Sequence, residues 1–300
     1  MSSRRATICV LACVASWGAV FVGVYKVLPE LDPLQIVTLR FIGVSAFFAT
    51  VLALQPALRP RPSRREVPLV LLAGVLAVAG SQLPIVDGQR FLSPPIAALI
   101  VTFAPAVAAV LAALVTRESL TALQVLGFAV GLAGVAIIVI LGAGSGAQLE
   151  ASNPLRASVA LVSPICWAVY TLLAKPLAGR HPTIGIVGLA LICGTAFMAP
   201  LVPHAVEGAQ HLSANGWMWL AFLTAGGTAL PYILWSMSLE VLAVNRTAAF
   251  MYLVPVFALM WTALILGNLP SLLAVAGGIV VLVGVALTQL TRPQPAPVPG

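Results

Sequence analysis

The sequence predicts an all-α membrane protein of ten transmembrane helices, arranged as two inverted five-helix repeats. Three observations predict it. The 300-residue chain is 61 % hydrophobic and only 8 % charged, whereas a soluble domain of this size carries about a quarter of its residues charged. Ten apolar runs approach the ~20 residues that cross a bilayer. The second half of the chain also repeats features of the first at one fixed offset.

The runs are residues 6–28, 34–54, 67–86, 94–115, 121–142, 155–177, 183–202, 216–237, 245–266 and 271–290. The first follows Arg4 and Arg5 and is long enough to span. No small-residue cleavage site follows it, so it reads as a span and not as a cleaved signal. The connection between the second and third runs holds Arg59, Arg61, Arg64 and Arg65. Ser93-Pro94-Pro95 sets a cap and prolines at the start of the fourth run, and Asn153-Pro154 does the same for the sixth. Lys175 and Arg180 close the sixth run, Arg246 opens the ninth, and Arg292 follows the tenth. Residues 292–300 are Pro-rich and predicted to be a disordered tail.

Charge predicts the orientation. Eleven of the 15 Lys and Arg residues fall on the side that holds both termini. Lys26, Arg90 and Arg156 fall on the other, and Arg40 lies inside a run. The positive-inside rule then puts both termini in the cytoplasm, in a bacterial inner membrane. Because the basic residues are spread between apolar runs, the net charge of +7 implies no nucleic-acid partner.

At an offset of 150 residues Trp17 meets Trp167, Pro105 meets Pro255 and Gly127 meets Gly277, and Gly134-Val135-Ala136 meets Gly284-Val285-Ala286. The repeats are predicted over 1–143 and 151–291. Each holds five runs, an odd number, so the second half enters the membrane inverted. Inverted repeats place a site near the midplane where the halves meet and permit alternating access.

These residues resemble the EamA-type, ten-helix branch of the drug/metabolite transporter superfamily. The resemblance rests on Trp17-Gly18, Pro33-Leu34 and Leu39-Arg40-Phe41, then on Arg90 through Ser93, Ala97-Ala98-Leu99 and Pro105 to Glu118-Ser119-Leu120-Thr121. Its second-half echo runs from Asn245-Arg246 through Pro255 to Gly284. It implies a central cavity lined by the first four helices of each half, and relatives that export amino acids and other small metabolites. More distant branches carry sugar-linked or phosphorylated metabolites. The chain departs from the pattern at Tyr25-Lys26, at Gly267-Asn268 and at the pair Asp87 and Arg90.

Arg40 is the leading candidate substrate contact, because a cation inside a span is costly and faces a cavity or a partner. Its guanidinium could take a carboxylate bidentately. The alternative is a structural Arg that snorkels outward or pairs with Asp32 or Asp87. Trp17 and Trp167 fall mid-span, where aromatic walls suit an organic substrate, and Tyr170 follows Trp167 by one turn. Gln82, Tyr232, Trp235 and Tyr252 complete the candidate lining, with helix packing as the competing role for each. Pro105 and Pro255 are expected to kink their helices. The glycines of the fifth and tenth runs permit close packing, within the molecule or in a homodimer.

Other chemistry is not expected. Cys9, Cys13, Cys166 and Cys193 lie in apolar runs with no metal-like or disulfide pairing. His181, His204 and His211 lie in connections, so neither a metal site, a cofactor nor an enzyme is predicted. No Asp or Glu sits mid-span. Glu118, Glu150, Glu207 and Glu240 all lie at ends or in loops. A neutral, zwitterionic or anionic substrate therefore fits better than a cationic drug.

Overall fold

The computed structural model describes residues 2–105, 107–108, 111, 121–137, 159–239, 241–242, 247, 249–267 and 272–289. Arg117, Glu118, Glu150, Arg156, Glu240, Asn245, Arg246 and the tail 292–300 lie outside the described residues. Within them the regular structure is helical, with no strand.

Side chains that take up the orphan N–H groups of the first turn set the helix starts. Ser2 caps α1 (Ser3–Val27), accepting from the Arg5 N–H. Asp32 and Gln35 form a reciprocal capping box on α2 (Pro33–Leu54), with Pro33 in the first turn. One such cap is worth about 1 kcal/mol. The third predicted run is a continuous but irregular helix. It passes from α3 (Val67–Val75) through a π turn at Leu76–Gly80 into α4 (Ser81–Gly88). Next come α5 (Pro94–Val101), α6 (Ala122–Ala136) and α7 (Val162–Ala178).

Helix α8 (Thr183–Phe197) bends by 54° into α9 (Val202–Gln210) across the short 3-10 turn at Ala199–Leu201. Pro200 and Pro203 begin the turn and α9, where no N–H is available to continue the ladder. Helix α10 (Ala214–Thr224), capped by Ser213, runs through a second π turn at Ala225–Ala229 into α11 (Leu230–Leu239). The described chain closes with α12 (Val254–Leu266) and α13 (Leu272–Gln289). Ser3–Val27, Pro33–Leu54, Val67–Gly88 and Ala214–Leu239 are each long and apolar enough to cross a membrane, and the bent α8–α9 pair is a fifth if counted as one span.

The prolines expected to kink continuous helices sit at helix breaks instead. Helix α5 ends at Val101, Thr102 and Phe103 form a turn, and helical backbone resumes at Ala104-Pro105. Pro255 stands in the first turn of α12, after a 3-10 turn at Phe250–Leu253. A first-turn Pro sacrifices no helical hydrogen bond, which makes the break the less costly arrangement.

Helices α1 and α2 pack chiefly on second-half partners, α1 on α11 and α12 and α2 on α8; α3 also packs on α8, and α6 on α13. One buried cluster runs through both halves, from Val14 and Phe41 to Leu191, Leu223 and Tyr252. Gly134 lies against Val281 and Gly277, and Gly284 against Gly131 and Gly127. The same positions therefore meet with the halves exchanged. These approaches leave no space for a side chain, so Gly134 and Gly284 serve contact within the molecule. Outward faces carry exposed aliphatic residues such as Ile8, Leu126, Ile279 and Leu272, the last 89 % exposed.

Polar ties join the halves at both ends of α2. Before its start, Glu30 accepts from the Ser213 N–H and hydroxyl at 2.7 and 2.9 Å. His204 Nε2 lies 2.6 Å from Asp32 Oδ2, and Gln35 Nε2 donates to the His204 carbonyl. Beyond the other end, Glu66 accepts from the Ser63 N–H and hydroxyl at 2.8 and 2.9 Å and from Arg180 at 3.2 Å. The Ser63 donors, then Arg180, hold the Glu66 carboxyl down at about 2. Partial burial pushes the Asp32 carboxyl up, but the Gln35 N–H and His204 outweigh it and hold it below the usual carboxylate range.

Candidate functional site

Between the halves lies a cavity of about 70 Å³. Helix α1 contributes Trp17, Val20 and Phe21, α2 contributes Arg40, and α4 contributes Ser81 and Gln82, with Gln89 just past its end. From the second half come Ser163 and Trp167 on α7, Tyr232 on α11, and Met251. The volume is small against the ~300–1,000 Å³ usual for ligand pockets, so admitting a metabolite requires the walls to part.

The π turn at Ala225–Ala229 explains how Arg40 is held. Widening a helical turn breaks the i to i+4 register and turns backbone carbonyls towards other partners. The Gly226 carbonyl accepts from Ser16 on α1, and the Gly227 carbonyl accepts from Arg40 Nη2 at 3.4 Å. Thr228 Oγ1 donates to the Leu223 carbonyl five residues back and accepts from Arg40 Nε. Arg40 Nη1 donates to Gln82 Oε1 at 3.3 Å, and the guanidinium carbon lies 5.5 Å from the centre of the Phe41 ring.

Arg40 is only 3 % exposed, so it does not snorkel. Nor does it pair with Asp32 or Asp87. Asp32 faces His204, and Asp87 pairs with Arg90 at 3.8 Å. Among the described residues no carboxylate neutralises Arg40. A buried guanidinium with neutral partners alone is a costly arrangement, and an anion from outside would offset that cost.

All the aromatic candidates but Tyr252 form one connected wall. Trp17 and Trp167 meet edge to face with centroids 5.5 Å apart, and Trp167 contacts Tyr232 at 5.7 Å. Tyr170 packs behind Trp167 at 5.2 Å, and Trp235 behind Trp17 at 5.2 Å. Tyr252 is fully buried against Phe128, 6.0 Å away. Arg40, Trp17, Gln82, Trp167 and Tyr232 thus face the cavity, while Tyr170, Trp235 and Tyr252 stand behind its lining. Sequence reasoning passed over Ser81, Gln89, Ser163 and Thr228. Gln89 was within reach: it lies seven residues after Gln82, two turns along the same face.

A second cavity, of about 380 Å³, is lined by Asp32, Pro33, Leu34, Leu83, Asp87 and Arg90. It lies at the start of α2, beside the tie between Asp32 and His204. Among the described residues no group of His, Cys, Asp and Glu could hold a metal ion.

This cavity between mutually packed apolar helices belongs to a membrane transport fold. The profile of the EamA-like transporter family matches residues 4–140 and again 155–290, and the chain belongs to that family. It is 29 % identical to a protein of Streptantibioticus cattleyicolor named "Probable terminal-alkyne amino-acid exporter", over 85 % of both chains. It is 26 % identical to a Salmonella typhimurium protein named "Probable amino-acid metabolite efflux pump", over 94 % of both. An Archaeoglobus fulgidus protein named "Uncharacterized transporter" is 24 % identical over 93 % of this chain and 96 % of its own. A solved crystal structure shares the fold, with a TM-score of 0.76 over 96 % of this chain and 98 % of that one at 19 % identity. The family and the apolar helices together make the chain a multi-pass membrane protein.

Proposed function

We propose that the protein exports small organic metabolites that bear a carboxylate, amino acids among them, by alternating access at the cavity that holds Arg40. The observation that carries this reading is a buried guanidinium, facing a cavity between the halves, with no carboxylate partner among the described residues. The names of the two exporter relatives support the direction of transport and the amino-acid class.

The architecture behind the proposal is ten helices in two inverted repeats, 1–143 and 151–291, with both termini in the cytoplasm of a bacterial inner membrane. The family profile matching twice supports the repeat. So do the exchanged contacts of Gly134 and Gly284, and the meetings of Trp17 with Trp167 and of Ser45 with Thr195, each pair 150 residues apart. Identical positions that touch across the halves are what a two-fold axis between them requires. Each half also breaks its third helix with a π turn, at Leu76–Gly80 and Ala225–Ala229, and these turns suit a hinge beside the cavity.

Exchange of phosphorylated or sugar-linked metabolites would call for several cations in the cavity, and Arg40 is the one cation among the described residues of its lining. If two copies associate, the glycine faces of α6 and α13 are already engaged with each other, which leaves their outer Leu and Val faces for the contact. The test of function is a tolerance screen of overexpressing cells against toxic amino acids, analogues and organic acids. Resistance with lowered intracellular accumulation is the expected result. Unchanged tolerance and accumulation across the panel would contradict the proposal.

A further inference from the structure

Among the described residues the cavity is equipped to read a carboxylate and has nothing charged to read an amine. Arg40 is the only ionised group among the described residues of its lining, which include no Asp or Glu. The sequence has only eight acids, none of them mid-span. Glu30, Asp32 and Glu66 are engaged in the ties at the ends of α2, and Asp87 faces the other cavity beside Arg90.

The hydrogen-bonding groups that remain among the described lining residues are neutral, and Ser81, Gln82 and Gln89 are occupied. Gln82 Oε1 accepts from Arg40, Ser81 Oγ donates to the Ala77 carbonyl, and Gln89 Nε2 donates to the Phe21 carbonyl. Tyr232 differs from these. Its hydroxyl is buried without a partner, the residue is only 3 % exposed, and it lines the same cavity as Arg40. An idle phenolic donor lining the same cavity as a guanidinium that has no counter-charge among the described residues is suited to a second carboxylate oxygen.

Charge decides between cargo classes. A monocarboxylate beside Arg40 brings the site to zero net charge. A zwitterion leaves it at one positive charge, with an ammonium held by neutral acceptors alone. Burying an ammonium without a counter-ion is costly, and a charged intermediate must also move against or along the membrane potential.

We infer that the cavity takes monocarboxylates as a class, and that 2-oxo, 2-hydroxy and simple acids built on apolar side chains bind at least as tightly as the matching amino acids. The inference rests on the reading of Arg40 as the carboxylate seat and narrows it: the α-amino group is carried, not recognised. The apolar wall of Val20, Phe21 and Trp167 holds the side chain.

The test uses three compounds that share one carbon body, titrated by calorimetry into the purified full-length protein: leucine, 4-methylpentanoate and isopentylamine. The expected order is 4-methylpentanoate binding as tightly as leucine or more so, with isopentylamine weaker by about tenfold or more. Both acids lose binding in Arg40→Gln and weaken severalfold in Tyr232→Phe, each variant being checked for an unchanged elution profile and melting temperature. Should Arg40→Gln fail to fold, Arg40→Lys replaces it and is expected to weaken both acids. Leucine binding more tightly than 4-methylpentanoate, with both lost in Arg40→Gln, would overturn amine indifference and leave the Arg40 seat standing. Binding of neither acid to the wild type, or of both unchanged in Arg40→Gln, would overturn the seat and the inference together.

Discussion

Arg40 and Thr228, 188 residues apart in sequence, are joined by a hydrogen bond from the guanidinium Nε to the threonine hydroxyl. That hydroxyl in turn donates to the Leu223 carbonyl at 2.7 Å, across a π turn. The bond ties the cation on α2 to the irregular turn that precedes α11, and α11 carries Tyr232 into the same cavity. On the proposed reading, a substrate that draws the guanidinium towards itself would pull on the π turn of the opposite half.

Thr228→Val tests this tie. It removes the acceptor of a buried charged donor, at a cost of about 1–3 kcal/mol. Melting of the purified protein is expected to fall and export to slow, while Thr228→Ser, which keeps the hydroxyl, restores both. Equal behaviour of the Val and Ser variants would show that the bond does not matter.

Helix packing at the α6–α13 contact gives a second prediction with an internal control. A Cβ at Gly284 would collide with the Gly131 backbone and the Gly127 carbonyl, whereas one at Gly278 meets only the Val256 side chain, at 3.9 Å. Gly284→Ala is expected to destabilise by about 1–3 kcal/mol through overpacking. Gly278→Ala is expected to be neutral or to stabilise by up to about 1 kcal/mol through helix propensity. Thermal melts in detergent decide it, and a Gly284→Ala protein as stable as Gly278→Ala would refute the contact.

The pH dependence of stability should trace Glu66. Its folded-state value of about 2 lies below the ordinary 4.5, so between these values the unfolded chain binds the proton more readily. Stability from this group is complete above the ordinary value and declines as the pH falls from about 4.5 towards 2. In acid melts Glu66→Gln is expected to lose that part of the decline while being less stable at neutral pH. An unchanged acid profile would remove Glu66 from the tie.

Much of the helix plan could be read from the chain, because apolar length and flanking charge report directly on a bilayer. The family relation could be read as well, from Trp17-Gly18, Leu39-Arg40-Phe41 and the run from Arg90 through Pro105 to Thr121. Arg40 stood out as a lone cation in an apolar run. Its partner did not, because Thr228 sits in Ala225-Gly226-Gly227-Thr228-Ala229, which differs from an ordinary helical stretch only in backbone register. The prolines misled for a related reason: Pro105 and Pro255 are equally compatible with a kink inside a helix and with the first turn of a new one. Helical spacing put Tyr170 near Trp167, but the rotation that sets Trp167 at the cavity and Tyr170 behind it comes from packing between the halves.

The most direct test of the central claim is counterflow of a labelled amino acid, chosen from the tolerance screen, in proteoliposomes of wild-type, Arg40→Lys and Arg40→Gln protein at matched incorporation. Lysine is a point charge and cannot reach Thr228, Gln82 and the Gly227 carbonyl together as the guanidinium does. The account predicts flux reduced by about tenfold or more in Arg40→Lys and abolished in Arg40→Gln, with both proteins folded. Wild-type counterflow by folded Arg40→Gln would contradict it.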